Sequence, residues 1–433
     1  MTNKKNYGLP IAMMILLFGM IAFVTNLAAP MGNVLKEQFA VSNFMGMLGN
    51  AMNFIAYAVM GIPGGLLLQR VGYKKTALIA IAVGFVGVAV QYLSGYASET
   101  SAFAVYLLGA FIAGISMCLL NMVVNPMLNT LGGSGNKGNQ LIQLGGSFNS
   151  IMATFTPTFV GILIGETARA QITDVFPVMY IAMAVFAMAF FVLLAVAIPE
   201  PHAEKTEEPV GSLIKGALQF RHFVLGALAI FVYVGVEIGT AGTLNLWLSD
   251  ANDPSGALVG KTIAGFVAGT YWALMLVGRL VGAAIGSKVS SKMMLGVTSF
   301  VGMIFILAAI FLSPEIKVNL PVLERAASGA LGFGLNEVPI NAMFIVLVGL
   351  CTSIMWGGIF NLAVEGLGKY LAVASGIFMT LVCGGAFLPA LQAWMADITG
   401  YQASYWVIFI SLGYLLYYAV IGSKNVNTDI PVE

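Results

Sequence analysis

The sequence predicts an all-α integral membrane protein of twelve transmembrane helices arranged as two six-helix halves. Three observations carry that reading. Of 433 residues, 59% are hydrophobic and 9% charged, with a mean hydropathy of +0.93. The apolar residues gather into runs of about 20, the length a helix needs to cross the hydrocarbon of a bilayer. One segment, PEPHAEKTEEPVGSLIKGALQFR at 199–221, interrupts those runs with concentrated charge and three prolines. Soluble domains do not have this composition. A net charge of +1 gives no electrostatic reason to expect a nucleic-acid partner.

The spans fall at about 9–30, 43–68, 76–95, 102–128, 139–164, 175–198, 223–249, 262–287, 293–312, 339–363, 370–392 and 404–422. The first follows MTNKKNYG and is too long for a cleaved signal segment, with no small-residue cleavage site. The polar segment divides the chain into an N-terminal half (1–198), a central loop (199–222) and a C-terminal half (223–433). Two six-span halves are the layout of an internally repeated membrane protein. With the N-terminus inside, thirteen Lys and Arg fall in inner loops and five outside (Lys36, Arg169, Lys261, Lys317 and Arg325). That asymmetry places both termini and the central loop in the cytoplasm. The long outer loop, 313–338, reads as a solvated connector. GGSGNKG at 132–138 lacks the G-K-S/T ending of a phosphate loop and reads as a flexible inner connector. SLIKGALQFRHF at 212–223 has the pattern of an amphipathic helix at the inner surface.

No cofactor, metal or catalytic group is expected. Cys118, Cys351 and Cys383 lie far apart in apolar runs, and His202 and His222 lie in or beside one polar loop. Neither set has the spacing of a metal site or a disulfide framework.

GLLLQRVGYKK at 65–75 resembles the loop pattern of the major facilitator superfamily, G-x-L-x-D-R-x-G-R-R. Gly65, Leu67, Arg70, Gly72 and Lys74 match, while Gln69 replaces the usual Asp and Tyr73 a base. Glycine permits a tight turn and close helix approach, and the bases hold the loop at the inner surface. Gly65, Arg70, Gly72, Lys74 and the intramembrane Arg279 are therefore the gating or structural candidates. Narrower likenesses recur in order: NMVVNPMLNTLG (121–132) with GGSFNSIMA (145–153), FVYVGVEIGT (231–240), YWALMLVGRLVG (271–282), and SIMWGGIFNLAVEGLGK (353–369) with SGIFMTLVCGGAFLPALQAWMAD (375–397). These resemble the fucose–galactose–glucose:proton symporter family. The departures are informative. The family's first-helix Asn-Asp pair falls on Ala28 and Ala29, its fourth-helix acid on Asn121, and its fifth-helix glutamine on Gly146. Both N-half carboxyls associated there with proton coupling and sugar binding are missing, so the proton mechanism does not transfer by resemblance alone.

Among the 18 carboxylates, Glu237 alone falls well inside a span. An ionised side chain at mid-bilayer costs roughly 2.5–3.5 kcal/mol on insertion scales, so it faces a cavity or a partner. Three readings stay open: proton carrier, acceptor for sugar hydroxyls, or structural partner of Arg279. Glu237 lies about 20 Å and Arg279 about 12 Å from the inner ends of their spans. That gap puts a direct pair at the limit of reach, and Arg279 is expected to snorkel toward the inner surface.

Neutral amides supply the donors and acceptors a polyhydroxylated ligand needs. The substrate-binding candidates are Asn26, Asn53, Asn121, Asn125, Gln143, Asn245 and Asn361, with Glu237 and the aromatic side chains Tyr233, Tyr271 and Trp356 for the apolar face of a sugar ring. Each amide is equally compatible with an interhelical hydrogen bond. The resemblance implies a secondary active transporter importing a neutral monosaccharide by alternating access. Proton symport is expected through Glu237, in a bacterial inner membrane and as a monomer in the lipid bilayer. A uniporter without proton coupling, or a carrier of another small neutral solute, is the alternative.

Overall fold

The computed structural model describes residues 7–39, 43–133, 136–164, 172–200, 210–250, 252–325, 331–427, 429–430 and 432. Inside a bilayer the backbone must satisfy its own hydrogen bonds, and these apolar runs do so as helices. The elements are α1 (Gly8–Phe39), α2 (Asn43–Val71), α3 (Tyr73–Leu93), α4 (Glu99–Leu131), α5 (Lys137–Ile164), α6 (Phe176–Ala195), α7 (Val210–Gln219), α8 (Arg221–Ser249), α9 (Pro254–Ile285) and α10 (Ser291–Phe311). A hairpin of β1 (Lys317–Arg325) and β2 (Leu331–Pro339) follows. The chain then forms α11 (Ile340–Thr352), α12 (Met355–Ala363), α13 (Leu371–Thr380), α14 (Gly384–Thr399), α15 (Tyr401–Ser404) and α16 (Trp406–Tyr417), ending in a π turn at Tyr418–Gly422. Eleven stretches among the described residues are long and apolar enough to cross a membrane. The 28-residue α5 covers the fifth of the twelve expected spans, 139–164, but is not one of the eleven.

The chain forms two compact units. The first comprises Met1–Phe220, Val364–Cys383 and Asn427–Glu433; the second comprises Arg221–Ala363 and Gly384–Val426. Residues 364–383, which follow the tenth span in sequence, thus pack with the first unit.

In the first unit α4 is the central helix, with Met117–Leu120, Met122–Val124, Met127 and Leu128 buried. α2, α3 and α1 pack around it, and α5 packs on α1. Ser116 Oγ donates to the Ala80 carbonyl at 2.5 Å, tying α4 to α3. The small helix α7 buries Leu213 and Ala217. The Phe220 ring that follows it lies 5.9 Å from that of Tyr370, so the amphipathic segment is covered from within its own unit.

In the second unit α8 packs against α9, α12 and α14, and α10 against α11 and α16. Two spans expected as continuous helices are broken. The tenth is interrupted between Thr352 and Met355, where Thr352 and Ser353 hydroxyls donate to the carbonyls of Val348 (3.2 Å) and Leu350 (2.6 Å). Hydroxyls bonded back to the preceding turn compete with the helical ladder and bend it. The eleventh passes through a 3-10 turn at Leu381–Cys383 before the Gly384-Gly385 pair.

The 313–338 loop is not the solvated connector its polarity suggested. Antiparallel pairing runs from Lys317↔Pro339 to Arg325↔Leu331, and the hairpin packs on α9 and α11. Leu320, Val322 and Val338 are buried on one face while Lys317, Asn319 and Pro321 are exposed. That is the period-2 pattern of a half-buried strand.

Candidate functional site

The loop between α2 and α3 is built by its glycine. Gly72 has φ +84°, a left-handed conformation that costs glycine nothing. It begins α3 directly after α2, whose last turn carries Arg70, a cation suited to the negative end of a helix dipole. A Cβ at Gly72 would strike the Glu200 carboxylate, which accepts from the backbone N–H groups of Tyr73 (2.7 Å) and Lys74 (3.0 Å). Lys74 Nζ in turn donates to the carbonyls of Leu194 (2.9 Å) and Val196 (2.7 Å). An acid following α6 caps the start of α3, and a base on α3 caps the end of α6. Sequence reading missed Glu200 because its partners lie more than 120 residues away.

Higher in α2, Gly65 meets α13 through Gly376; a Cβ on Gly65 would lie 2.9 Å from the Gly376 Cα and 3.0 Å from the Ala372 carbonyl oxygen. Small residues at both positions let the two helix backbones touch.

Asn53, Asn121, Asn125 and Gln143 are all buried in the first unit. Asn121 Nδ2 donates to the Tyr57 hydroxyl at 2.7 Å and to the Met117 carbonyl at 3.1 Å. Asn125 Nδ2 donates to the Asn121 carbonyl at 2.9 Å and to its side-chain oxygen at 3.2 Å. The one-turn spacing thus produces a tyrosine–amide chain between α2 and α4. Gln143 lies on α5, where its carbonyl accepts from Ser147 at 2.9 Å. Tyr57 escaped sequence reading, although it sits four residues after Asn53 and hence on the same helix face. Asn26 falls on α1, and its side chain lies outside the described residues.

The second unit holds the charged cluster. Arg279 Nη2 of α9 pairs with Glu237 Oε1 of α8 at 3.3 Å, both side chains only 12–13% exposed. Arg279 Nε donates to the Ser353 carbonyl at 3.2 Å. Ser353 immediately follows the end of α11, so the guanidinium also meets the negative end of a helix dipole. The snorkelling expected of Arg279 is therefore corrected. Position along a span fixes only the backbone height, whereas every Cα–Cβ bond leans toward its helix N-terminus. On consecutive, oppositely running spans the two side chains lean toward each other and close the gap.

Around this pair stand three aromatic residues. Tyr233, one turn before Glu237, is fully buried, and its ring meets Trp356 edge-on at 6.3 Å. Tyr271 shares a 2.9 Å hydrogen bond with the Thr352 hydroxyl beside the break in the tenth span. Asn245 is half-buried on α8, about 12 Å further along the helix axis than Glu237. Asn361 is engaged elsewhere: its Nδ2 donates to Ser291 Oγ at 2.9 Å, joining α12 to the first turn of α10. Trp247 is a connection pin, with Nε1 donating to Asp253 Oδ1 at 3.0 Å. The structure thus assembles Tyr233, Glu237, Tyr271, Arg279 and Trp356 with Ser353 and Thr352, two residues that no single-span reading would select.

A largely buried ion pair, ring faces and a carbonyl freed by a helix break offer both charge and directed hydrogen bonding in one membrane-spanning bundle. The model for the Major Facilitator Superfamily matches residues 11–388. A glucose/galactose transporter of Brucella abortus biovar 1 (strain 9-941) is 30% identical, over 98% of this chain and 96% of that protein. The L-fucose-proton symporter of Escherichia coli (strain K12) is 21% identical, over 92% and 89% of the two chains. The crystal structure of the E. coli fucose:proton symporter superposes with a TM-score of 0.79 at 17% identity, covering 97% of this chain and 100% of that one, which bears on the fold. A match to the superfamily model across most of its length, together with the multi-pass helical fold, makes this chain a member of the Major Facilitator Superfamily.

Proposed function

We propose that this protein is a secondary transporter importing a neutral monosaccharide of the glucose, galactose or fucose type, by alternating access and with proton symport. It acts without catalysis, as a monomer in a bacterial inner membrane, with both termini cytoplasmic. Its repeated halves are residues 1–198 and 223–433, joined by a cytoplasmic loop at 199–222. The observation that carries the substrate class is the 30% identity to a glucose/galactose transporter over 98% of the chain. Neutral amides and aromatic rings support the same reading, because sugars need paired donors and acceptors and an apolar ring face.

Glu237 is the proton site in this proposal. Its carboxylate is held by Arg279; protonation removes the charge that holds the pair and leaves Arg279 to its bond with the Ser353 carbonyl. The side chains proposed to contact sugar are Asn26, Asn53, Asn121, Asn125, Gln143, Tyr233, Asn245, Tyr271 and Trp356, with Glu237. Asn361 belongs to this group only if its bond to Ser291 opens. Uniport is the second reading, favoured by Ala29 and Asn121 at the positions where the resembled family carries acids.

Uptake of a labelled hexose panel into proteoliposomes, with and without an inward proton gradient, tests both. Gradient-driven accumulation that Glu237→Gln abolishes, with exchange retained, is the expected result. Saturable equilibration without accumulation would establish uniport, and no hexose uptake would overturn the substrate class.

A further inference from the structure

Within the first unit, α1, α5 and α6 enclose a cleft of about 660 Å³. Its walls include Leu16 and Met20 of α1, Met152 and Phe155 of α5, and Val185 and Met188 of α6. Among the described lining residues Thr156 is the one polar side chain, and its hydroxyl donates to the Met152 carbonyl at 2.6 Å. Among the described lining residues a sugar would find no side-chain donor to spare, so the cleft is chemically unlike the amide and ion-pair clusters described above.

Its dimensions fit the bilayer. Along α1 the lining runs from Met13 to Phe23 and along α6 from Ile181 to Val192, about 15 Å in each case. That is one leaflet of a hydrocarbon core about 30 Å thick. The α6 wall stops at Val192, close to the carbonyls of Leu194 and Val196 that receive the Lys74 ammonium. Polar groups therefore mark one end of the cleft, where a helix leaves the hydrocarbon. Leu16, Phe155 and Met188 are 55%, 59% and 64% exposed, so the mouth opens sideways. In a multi-pass membrane protein the sideways neighbour is lipid. If a methylene occupies about the volume of a water molecule, ~30 Å³, the cleft holds roughly twenty, the scale of one membrane-lipid tail.

We propose that the α1–α5–α6 cleft is a binding site for one acyl chain of a membrane phospholipid. Walls on three sides remove more of a chain from bulk lipid contact than a flat helix face does. The four methionines Met13, Met20, Met152 and Met188 conform to a flexible tail, because the unbranched thioether fills irregular gaps.

The test uses the full-length protein in nanodiscs containing a trace phospholipid with a photoactivatable diazirine on its acyl chain. After illumination, labelled peptides are mapped. Labelling of the α1, α5 and α6 linings several-fold above the exposed α3 stretch at Phe85 and Val86 is expected. Met188→Trp, which fills the cleft, should reduce that excess and leave α3 labelling unchanged; Leu16→Trp serves from the opposite wall if the first variant does not fold. Equal labelling of α3 and the cleft would overturn the proposal, and so would displacement of the cleft label by excess hexose, which would make the cleft part of a sugar path.

Discussion

At the scale of single residues, the Glu237–Arg279 pair governs what can be expected of the second unit. Each side chain is only 12–13% exposed, so removing one partner leaves an uncompensated charge in a poorly solvated place. Glu237→Gln or Arg279→Leu alone should each cost about 3 kcal/mol. The double variant Glu237→Gln/Arg279→Leu should recover much of that loss, because the desolvation penalties vanish together with the attraction. Thermal unfolding of the detergent-purified variants measures this; additive losses in the double variant would mean that the two charges do not depend on each other. Glu237 itself was legible in the sequence as a carboxylate in an apolar run. Its partner was not, since height along a helix says little about where a long side chain ends. Tyr57 shows the same gap: its spacing from Asn53 was readable, but the hydrogen bond from Asn121, 64 residues away, was not.

At the scale of elements, helix ends and close approaches decide more than apolar periodicity does. Gly65 and Gly376 allow α2 and α13 to touch, and a side chain there must push a backbone aside. Gly65→Leu should destabilise this packing by about 1–3 kcal/mol and impair hexose uptake, while membrane insertion, set by hydropathy, remains normal. Wild-type uptake and melting temperature in that variant would show that the contact is dispensable. A second element-level expectation concerns the turn between α8 and α9. Asp250 accepts from the Asn252 backbone N–H at 2.9 Å and from the Tyr401 hydroxyl at 3.0 Å. These bonds, the Asn252 N–H first, hold its carboxyl below the usual carboxylate value. A depressed folded-state pKa means that the contribution is complete above the unfolded value of about 3.9 and is lost as pH falls through the folded value. Melting temperatures between pH 7 and pH 3 should therefore fall less steeply for Asp250→Asn than for wild type; identical slopes would remove Asp250 from acid sensitivity. The hairpin and the two broken spans were not expected from the sequence. An alternating KVNLPV reads as a polar connector until a buried face is supplied by α9 and α11. A Thr-Ser pair in an apolar run reads as uninterrupted helix until its hydroxyls are seen bonding backward.

At the scale of the whole molecule, membrane residence followed from the sequence. So did a count near twelve helices and membership of a transporter superfamily. The physical reason is that lipid is an unforgiving solvent: it demands apolar length and internally satisfied backbone, and both are local properties written in consecutive residues. Loop charge is likewise local, which is why orientation could be argued before any coordinate. The division into units was less legible. Residues 364–383 join the first unit through the glycine contact between α2 and α13, and no run of neighbouring residues announces such a contact. Sequence alone thus determined the medium, the number of crossings and the residue types available for a polyhydroxylated ligand. Tertiary structure decided which of them meet: Glu237 with Arg279, Asn121 with Tyr57, Asn361 with Ser291, and Glu200 with the start of α3. Those choices depend on side-chain direction and interhelical distance, which arise only when segments far apart in the chain are packed together.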